Sequence, residues 1–307
     1  MTRFIIIRLL QTVVALIGII ILVFFMVRIS GNPILFMMSP LSTPEQILIM
    51  QQQLGLDKSY ATQFWIYIKD LARGDLGESF IKRIPVSDMI GKALPNTLKL
   101  GVPSFIIGII MSIALGVLAA TRRDSIFDNG MKFLAILGQA LPGFWIALMA
   151  MLIFSVYWQI LPAAGMGGIK NYILPVGTML FFMLPGMMRL VRSTMLDVLD
   201  SEYIKLARIK GLPERTVIWK HALRNAIISP MTVAGMMLAG IVGGAVITEN
   251  IFNWPGMGKL AVESTIGRDF PVVQIITIIV AIMVLGMNLL VDIAYAYVDP
   301  QIRYQRS

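Results

Sequence analysis

The apolar positions of this 307-residue chain gather into long runs free of charged residues, with polar segments confined between them. A helix needs roughly 20 apolar residues to cross about 30 Å of hydrocarbon. Six runs approach that length: 9–27, 100–120, the first section of 133–169, then 171–188, 226–248 and 270–291. The pattern predicts an all-α polytopic membrane protein with six transmembrane helices. The fourth run is the shortest. It holds Pro175 and Pro185, while Pro142 and Pro162 stand in or beside the third, so kinks are expected in both. The first run is too long for the apolar section of a cleavable leader and is read as a retained span.

The polar segments then set the organisation. With the N-terminus inside, the cytoplasmic segments carry 15 Lys and Arg and the two short outer loops carry Lys170, Lys259 and Arg268. This bias predicts cytoplasmic termini. Three regions follow: 1–28 with the first span, an extracytoplasmic segment 29–99, and a five-helix core 100–307 that includes a cytoplasmic loop 189–225. Segment 29–99 is expected to fold into a small helical cap. Thr43, Pro44, Glu45 and Gln46 read as a capped helix start, Gly55 as its end, and Tyr60 to Ala72 as a second helix with Phe64, Ile68 and Leu71 on one face. The cap either braces the span tops or contacts an extracellular delivery protein.

Composition removes most other classes. The chain is 57% hydrophobic and 14% charged, with mean hydropathy +0.79, which fits neither a soluble enzyme nor a disordered chain. There is no cysteine and a single histidine, His221, so disulfides, thiolate metal sites and histidine-rich metal sites are excluded. The 22 methionines read as adaptable packing rather than a copper path. A net charge of +9 reflects membrane orientation, without the aromatic-interleaved stripe of a nucleic-acid binder. No GxxxxGK[ST] loop, HExxH pair or GxSxG elbow occurs, so no ATP site or hydrolase site is expected in this chain. The six runs hold no Asp, Glu, His or Arg, which argues against a secondary carrier coupled to protons or sodium.

Three groups of residues are candidates for function. In the cytoplasmic loop a short helix is expected from Glu202 to Lys210, with Tyr203, Ala207 and Arg208 in it, a turn at Gly211, Leu212 and Pro213, and a second helix from Glu214 into the fifth span. Glu202 in the first turn and Arg208 and Lys210 in the last suit the helix dipole. Ile204, Ala207 and Arg208 share a face, which is expected to present a small-residue surface. A helix this short needs a partner surface, protein or anionic lipid. In the fifth span Gly235, Ala239 and Gly243 recur every four positions, and Gly240 and Gly244 form a GxxxG pair. Such small residues suit either internal packing or contact with a second chain along a pathway. Finally, Glu249 at the outer end of that span, followed by Trp254, Pro255 and Gly256, is an outer gate candidate or a helix end in headgroup water. Trp145, Trp158 and Trp254 are read as interfacial belt residues.

These residues resemble a known family. The loop is similar to the Glu-Ala-Ala-x-x-x-Gly segment of permease subunits of ATP-binding-cassette importers, matching at Ala207 and Gly211, with Lys205 and Leu206 in place of Glu and Ala. It is closer to the peptide and nickel branch, through Tyr203, Ala207, Arg208, Lys210, Gly211, His221, Leu223, Arg224 and Asn225. Further landmarks are Asn32 and Pro33; Thr43, Pro44 and Glu45; Leu54 to Asp57; Gly74 to Gly77; Leu94 to Thr97; Glu249 to Gly258; Arg268 to Pro271; Asn288, Leu289, Val291 and Asp292; and Asp299, Pro300 and Arg303. The resemblance implies a type I importer permease fold in a bacterial or archaeal inner membrane. It implies a second homologous permease, two ATPase subunits that hold ATP and Mg, an extracytoplasmic substrate-binding protein, and no cofactor on this chain. The implied cargo is short peptides, with nickel or a metal chelate as the alternative.

Overall fold

The computed structural model describes residues 2–29, 34, 38 and 42–298. Asn32, Pro33, Asp299, Pro300 and Arg303 lie outside the described residues. In chain order the helices are α1 (Thr2–Ile29), α2 (Pro44–Gln53), α3 (Tyr60–Ala72), α4 (Val86–Thr121), α5 (Ile126–Ala140) and α6 (Gly143–Met151), which continues as a π-helical turn, Leu152–Tyr157. There follow α7 (Lys170–Leu199), α8 (Glu202–Ile209) and α9, a run of Glu214–Thr216, a π-helical turn Val217–Ala222 and Leu223–Ala226. The chain continues through α10 (Ile228–Ala239), α11 (Ile241–Ile251), α12 (Met257–Ile266) and α13 (Phe270–Val298). Among the described residues the one extended pairing is a bridge between Glu78 and Pro85. Helix throughout is what hydrocarbon demands, because every backbone N–H and C=O must find its partner within the segment.

All six apolar runs are helical, but the count of single spans differs from the expected six. Among the described residues four helices are long and apolar enough to cross a membrane alone: Ile5–Ile29 of α1, α4, α7, and Phe270–Ile293 of α13. The third run is α5 and α6, bent by 104° between them. Pro142 causes this break. Leu141 before it is extended, at ψ 134°, as the residue preceding a proline prefers, and Pro142 has no N–H to continue the ladder. The fifth run is divided at Gly240 into α10 and α11, a stretch weakened by glycines at 235, 240, 243 and 244. By contrast α7 runs unbroken through Pro175 and Pro185, both buried, and on to Leu199.

The chain forms two compact units, Met1–Thr97 with Pro255–Gly286, and Leu98–Trp254 with Met287–Ser307. In the first unit the expected caps are present. Thr43 Oγ1 accepts from Gln46 N at 3.3 Å, and Gln46 Oε1 accepts from Thr43 N at 3.0 Å. Gly55 ends the turn after α2 with φ +63°, a left-handed value costly for any residue with a Cβ. Phe24 of α1 meets Phe64 of α3 edge-on at 5.0 Å. Val86, Met89, Ile90 and Ala93 bury against Met257, Leu260, Val272 and Ile275. Side chains fix the ends of these helices: Asn96 Nδ2 donates to Pro255 O at 3.0 Å, and Thr97 Oγ1 accepts from Met257 N at 2.7 Å. The buried Asp269 accepts from Phe80 N at 2.9 Å and from the Ser79 hydroxyl.

The core of the second unit joins Val117 and Ala120 of α4 to Met187, Val191, Met195 and Leu199 of α7, and to α8 and α9. Gly116 permits the approach of α4 to α7. A Cβ there would lie 2.7 Å from Val191 Cβ and 2.8 Å from Met188 O. Gly91, on the same helix, has nothing within 4 Å. Gly116→Ala is therefore expected to destabilise by about 1–3 kcal/mol, whereas Gly91→Ala should be neutral or stabilising by up to about 1 kcal/mol through helix propensity. Thermal unfolding of the purified chain in detergent checks this. Equal midpoints for the two variants would contradict it.

Candidate functional site

The short helix α8 and the turn after it are held by four independent devices. The first is packing: Ile204 and Ala207 are buried in the same core as Val191, Met195, Leu199, Val217 and Ala222. This corrects the expectation that Ile204 and Ala207 present an outward surface. They are the underside of the helix, and a helix of eight residues persists because that underside is packed.

The second device is the end of α8. Gly211 N donates to Arg208 O at 2.9 Å and Leu212 N to Ala207 O at 3.4 Å, the paired bonds of a Schellman ending. Its left-handed residue is Gly211, φ +74°. The third is the pair Arg208 and Glu214, with Nη2 to Oε1 at 2.8 Å and Nε to Oε2 at 3.3 Å. The Arg208 guanidinium holds the Glu214 carboxyl below the usual carboxylate range, and Glu214 in turn raises Arg208. Both side chains are largely exposed, so this pair fixes geometry more than it adds stability. The fourth is Asn225 Nδ2 donating to Tyr203 Oη at 2.8 Å, which ties α8 to α9.

What remains exposed on α8 is apolar. Ile209 is 81% exposed and Leu206 51%, with Tyr203 and Leu212 partly exposed beside them. Lys205, which pairs with Glu202 at 2.7 Å, and Lys210 flank this surface and are exposed. The outward face is therefore two large aliphatic side chains in a basic frame.

The second unit also holds an ion pair that no sequence motif singles out. Asp128 of α5 is fully buried. It accepts from Arg192 of α7 through Nε at 2.5 Å and Nη2 at 2.7 Å, pairs with Lys132 Nζ at 2.9 Å, and accepts from Asp124 N at 3.0 Å. The signal in the sequence is two acids, Asp124 and Asp128, set between Arg122, Arg123 and Lys132.

Of the candidate gate residues Glu249, Trp254 and Gly256 are buried, and Pro255 is exposed. Glu249 is fully buried within α11, which corrects its reading as a helix end in headgroup water. Trp254 is fully buried too, which removes it from the interfacial belt, whereas Trp145 and Trp158 are exposed. Trp254 stands edge-on to Tyr172 at 4.7 Å, and its backbone N–H donates to Glu249 O at 2.8 Å. Pro255 and Gly256 belong to the other unit, where Pro255 O accepts from Asn96 and Gly256 precedes α12.

The glycines divide as well. The fifth run is divided at Gly240, with Gly235 on α10 and Gly243 on α11. A Cβ at Gly235 would meet Val291 Cγ2 at 2.5 Å, which makes Gly235 an internal packing residue. Gly243 faces open space. Gly240 lines an apolar cavity of about 390 Å³ with Gly101, Phe105, Met183, Ile241 and Thr248.

Comparison with known proteins adds the family context. Residues 112–304 match the family described as "Binding-protein-dependent transport system inner membrane component", and residues 1–101 match the N-terminal family of such membrane components. An oligopeptide transport system permease protein of Bacillus subtilis (strain 168) is 38% identical over 316 residues, covering 99% of this chain and 100% of its own length. A glutathione transport system permease protein of Salmonella typhi is 37% identical over 306 residues, with the same two coverages. A chain of Brucella abortus (strain 2308) named for a peptide transport system permease is 37% identical over 313 residues, again at 99% and 100%.

Removing one partner of the buried pair leaves a charge without compensation. Asp128→Ala is expected to cost about 3–5 kcal/mol, and Asp128→Ala with Arg192→Met to recover a large part of it. Thermal unfolding of the purified variants checks this. A double variant no more stable than the single one would contradict the assignment.

Proposed function

Because the chain belongs to the family of binding-protein-dependent transport system inner membrane components, we propose that it forms half of the membrane pathway of an ATP-driven importer of short peptides. It is a transport subunit and not an enzyme. The chain has no phosphate loop of its own, so ATP and Mg belong to two separate ATPase subunits. A second homologous permease completes the pathway, and an external binding protein delivers the cargo. Both termini face the cytoplasm of a bacterial or archaeal cell, as the Lys and Arg bias favours.

The observation that carries this reading is α8: a short helix braced from beneath, with Ile209 and Leu206 exposed between Lys205 and Lys210. Two fully buried aliphatic side chains contribute roughly 1.5–3 kcal/mol each, which suits a docking knob for an apolar groove with an acidic rim on an ATPase. The brace matters as much as the knob. Ile204 and Ala207 pack against α4 and α7 residues, so displacement of α8 by ATPase closure is passed to the long helices rather than absorbed in a slack loop. Glu249, Trp254, Pro255 and Gly256 are then proposed to control the outer end of the pathway, and Gly240 and Gly243 to face it or the second permease.

The peptide reading rests on the relatives, which are named for peptide, oligopeptide and glutathione transport; these names favour peptides over nickel or a metal chelate. Uptake of a labelled dipeptide or tripeptide by vesicles containing the whole complex tests it. Uptake should require ATP and the binding protein. Uptake that survives without ATP and collapses with the ion gradient would overturn it.

Two variants probe the docking helix. Ile209→Asp is expected to abolish co-purification of the ATPases and at least about 90% of uptake, since it places a charge where an apolar side chain docks. Gly211→Val is expected to uncouple uptake from ATP hydrolysis while Gly211→Asn retains most of it, because asparagine tolerates the left-handed conformation. Wild-type uptake in either Ile209→Asp or Gly211→Val would contradict the assignment.

A further inference from the structure

The first unit contains a cavity of mixed apolar and polar lining that the transport reading does not use. It has a volume of about 270 Å³ and is formed at the residue 28 end of α1, by α3, by the segment around Asp75 to Phe80 and by the start of α13. Two buried groups on its lining have no hydrogen-bond partner: the Tyr67 hydroxyl and the Gln274 side-chain amide nitrogen. Gln274 is only 7% exposed. Leaving such donors unpaired costs roughly 1–3 kcal/mol each, so the cavity is built for a ligand that accepts.

A cation stands beside them. Arg28 lies over the Phe24 ring, 3.3 Å from its centroid. Its Nε donates to Gln63 Oε1 at 2.9 Å and its Nη1 to Phe24 O at 3.3 Å, and among the described residues no carboxylate lies within ion-pair distance of it. Burial pushes the Tyr67 phenol up to about 12, so its hydroxyl keeps its proton and donates. Three donors, one of them charged, thus belong to residues that line the cavity. Asp70, Asp75 and Glu78 line the same cavity and would repel a simple anion. A ligand that satisfies both sets carries an oxyanion and, a few bonds away, an ammonium group.

We propose that this cavity binds the headgroup of a zwitterionic phospholipid of the ethanolamine type, its phosphate on Arg28, Tyr67 and Gln274 and its ammonium toward Asp70, Asp75 and Glu78. The place in the fold selects a lipid over a soluble zwitterion. The cavity is at the end of Ile5–Ile29, an apolar helix whose span window is only 11% buried and whose Leu22, Phe25, Met26 and Ile29 are exposed, as a lipid-facing helix requires. A phosphate at the end of such a helix keeps its acyl chains along that surface. The proposal rests on the transport reading only for the leaflet, which is the outer one in that orientation.

Native mass spectrometry of the full-length chain in detergent tests this, with phosphatidylethanolamine and phosphatidylglycerol added at equal concentration. The chain is expected to retain phosphatidylethanolamine in preference, and Tyr67→Phe and Gln274→Leu each to reduce that retention about tenfold, as loss of a hydrogen bond to a charged group implies. Unchanged retention in both variants would overturn the site. Equal retention of the two lipids would overturn the role of the acids. Displacement of the lipid by millimolar alanyl-alanine or by inorganic phosphate would assign the cavity to a soluble ligand and overturn the lipid proposal. ATP-driven peptide uptake, measured in the same variants, reports separately on the transport reading and is expected to persist.

Discussion

The anchoring of α8 is the interaction on which the rest of this account depends. Eight residues make little more than two turns, and in water such a helix is not stable alone. Here the fully buried Ile204 and the nearly buried Ala207 join it to α4, α7 and α9, and Gly211 in its left-handed conformation closes it against its own carbonyls. The helix is thus a rigid extension of the long apolar helices. Its exposed aliphatic pair, Leu206 and Ile209, is positioned by the same packing that hides Ile204.

Buried carboxylates carry out the other long-range joins. Asp128 links α5 to α7 through Arg192, and Asp269 links the start of α13 to Ser79 and Phe80. Each satisfies its lone pairs with several donors, which is what makes burial of a charge tolerable. Where a join is apolar, small residues take over: Gly116 admits Val191, and Gly235 admits Val291. With few charges and long helices, a handful of such contacts sets how the helices approach one another.

Local signals were legible in the sequence and tertiary ones were not. The capping box at Thr43, the helix from Tyr60 to Ala72 and the α8 helix with its Gly211 ending follow from neighbours within a few residues, and the structure has them. The inward face of α8 was misread because this helix carries apolar residues on both sides, so periodicity could not say which side packs. The place of Glu249 and Trp254 at the end of an apolar run leaves headgroup water open to Glu249 and the interfacial belt to Trp254 beside the gate reading, yet both are fully buried. Pro142 was flagged as a kink and produced a 104° bend, while Pro175 and Pro185 were flagged equally and lie within an unbroken helix. Asp128 and Arg192 are 64 residues apart, and nothing in either neighbourhood names the other.

The central claim is that α8 meets the ATPase with Leu206 and Ile209 and keeps Ile204 for its own core. Because the chain has no cysteine, a single thiol placed at each of these three positions is unique within it. Cross-linking in membranes containing the whole complex, to single thiols along the ATPase groove, measures the claim directly. The account expects Leu206→Cys and Ile209→Cys to capture the ATPase, with yields that change on ATP binding, and Ile204→Cys to give none. Capture through position 204, or no capture through 206 and 209, would contradict it.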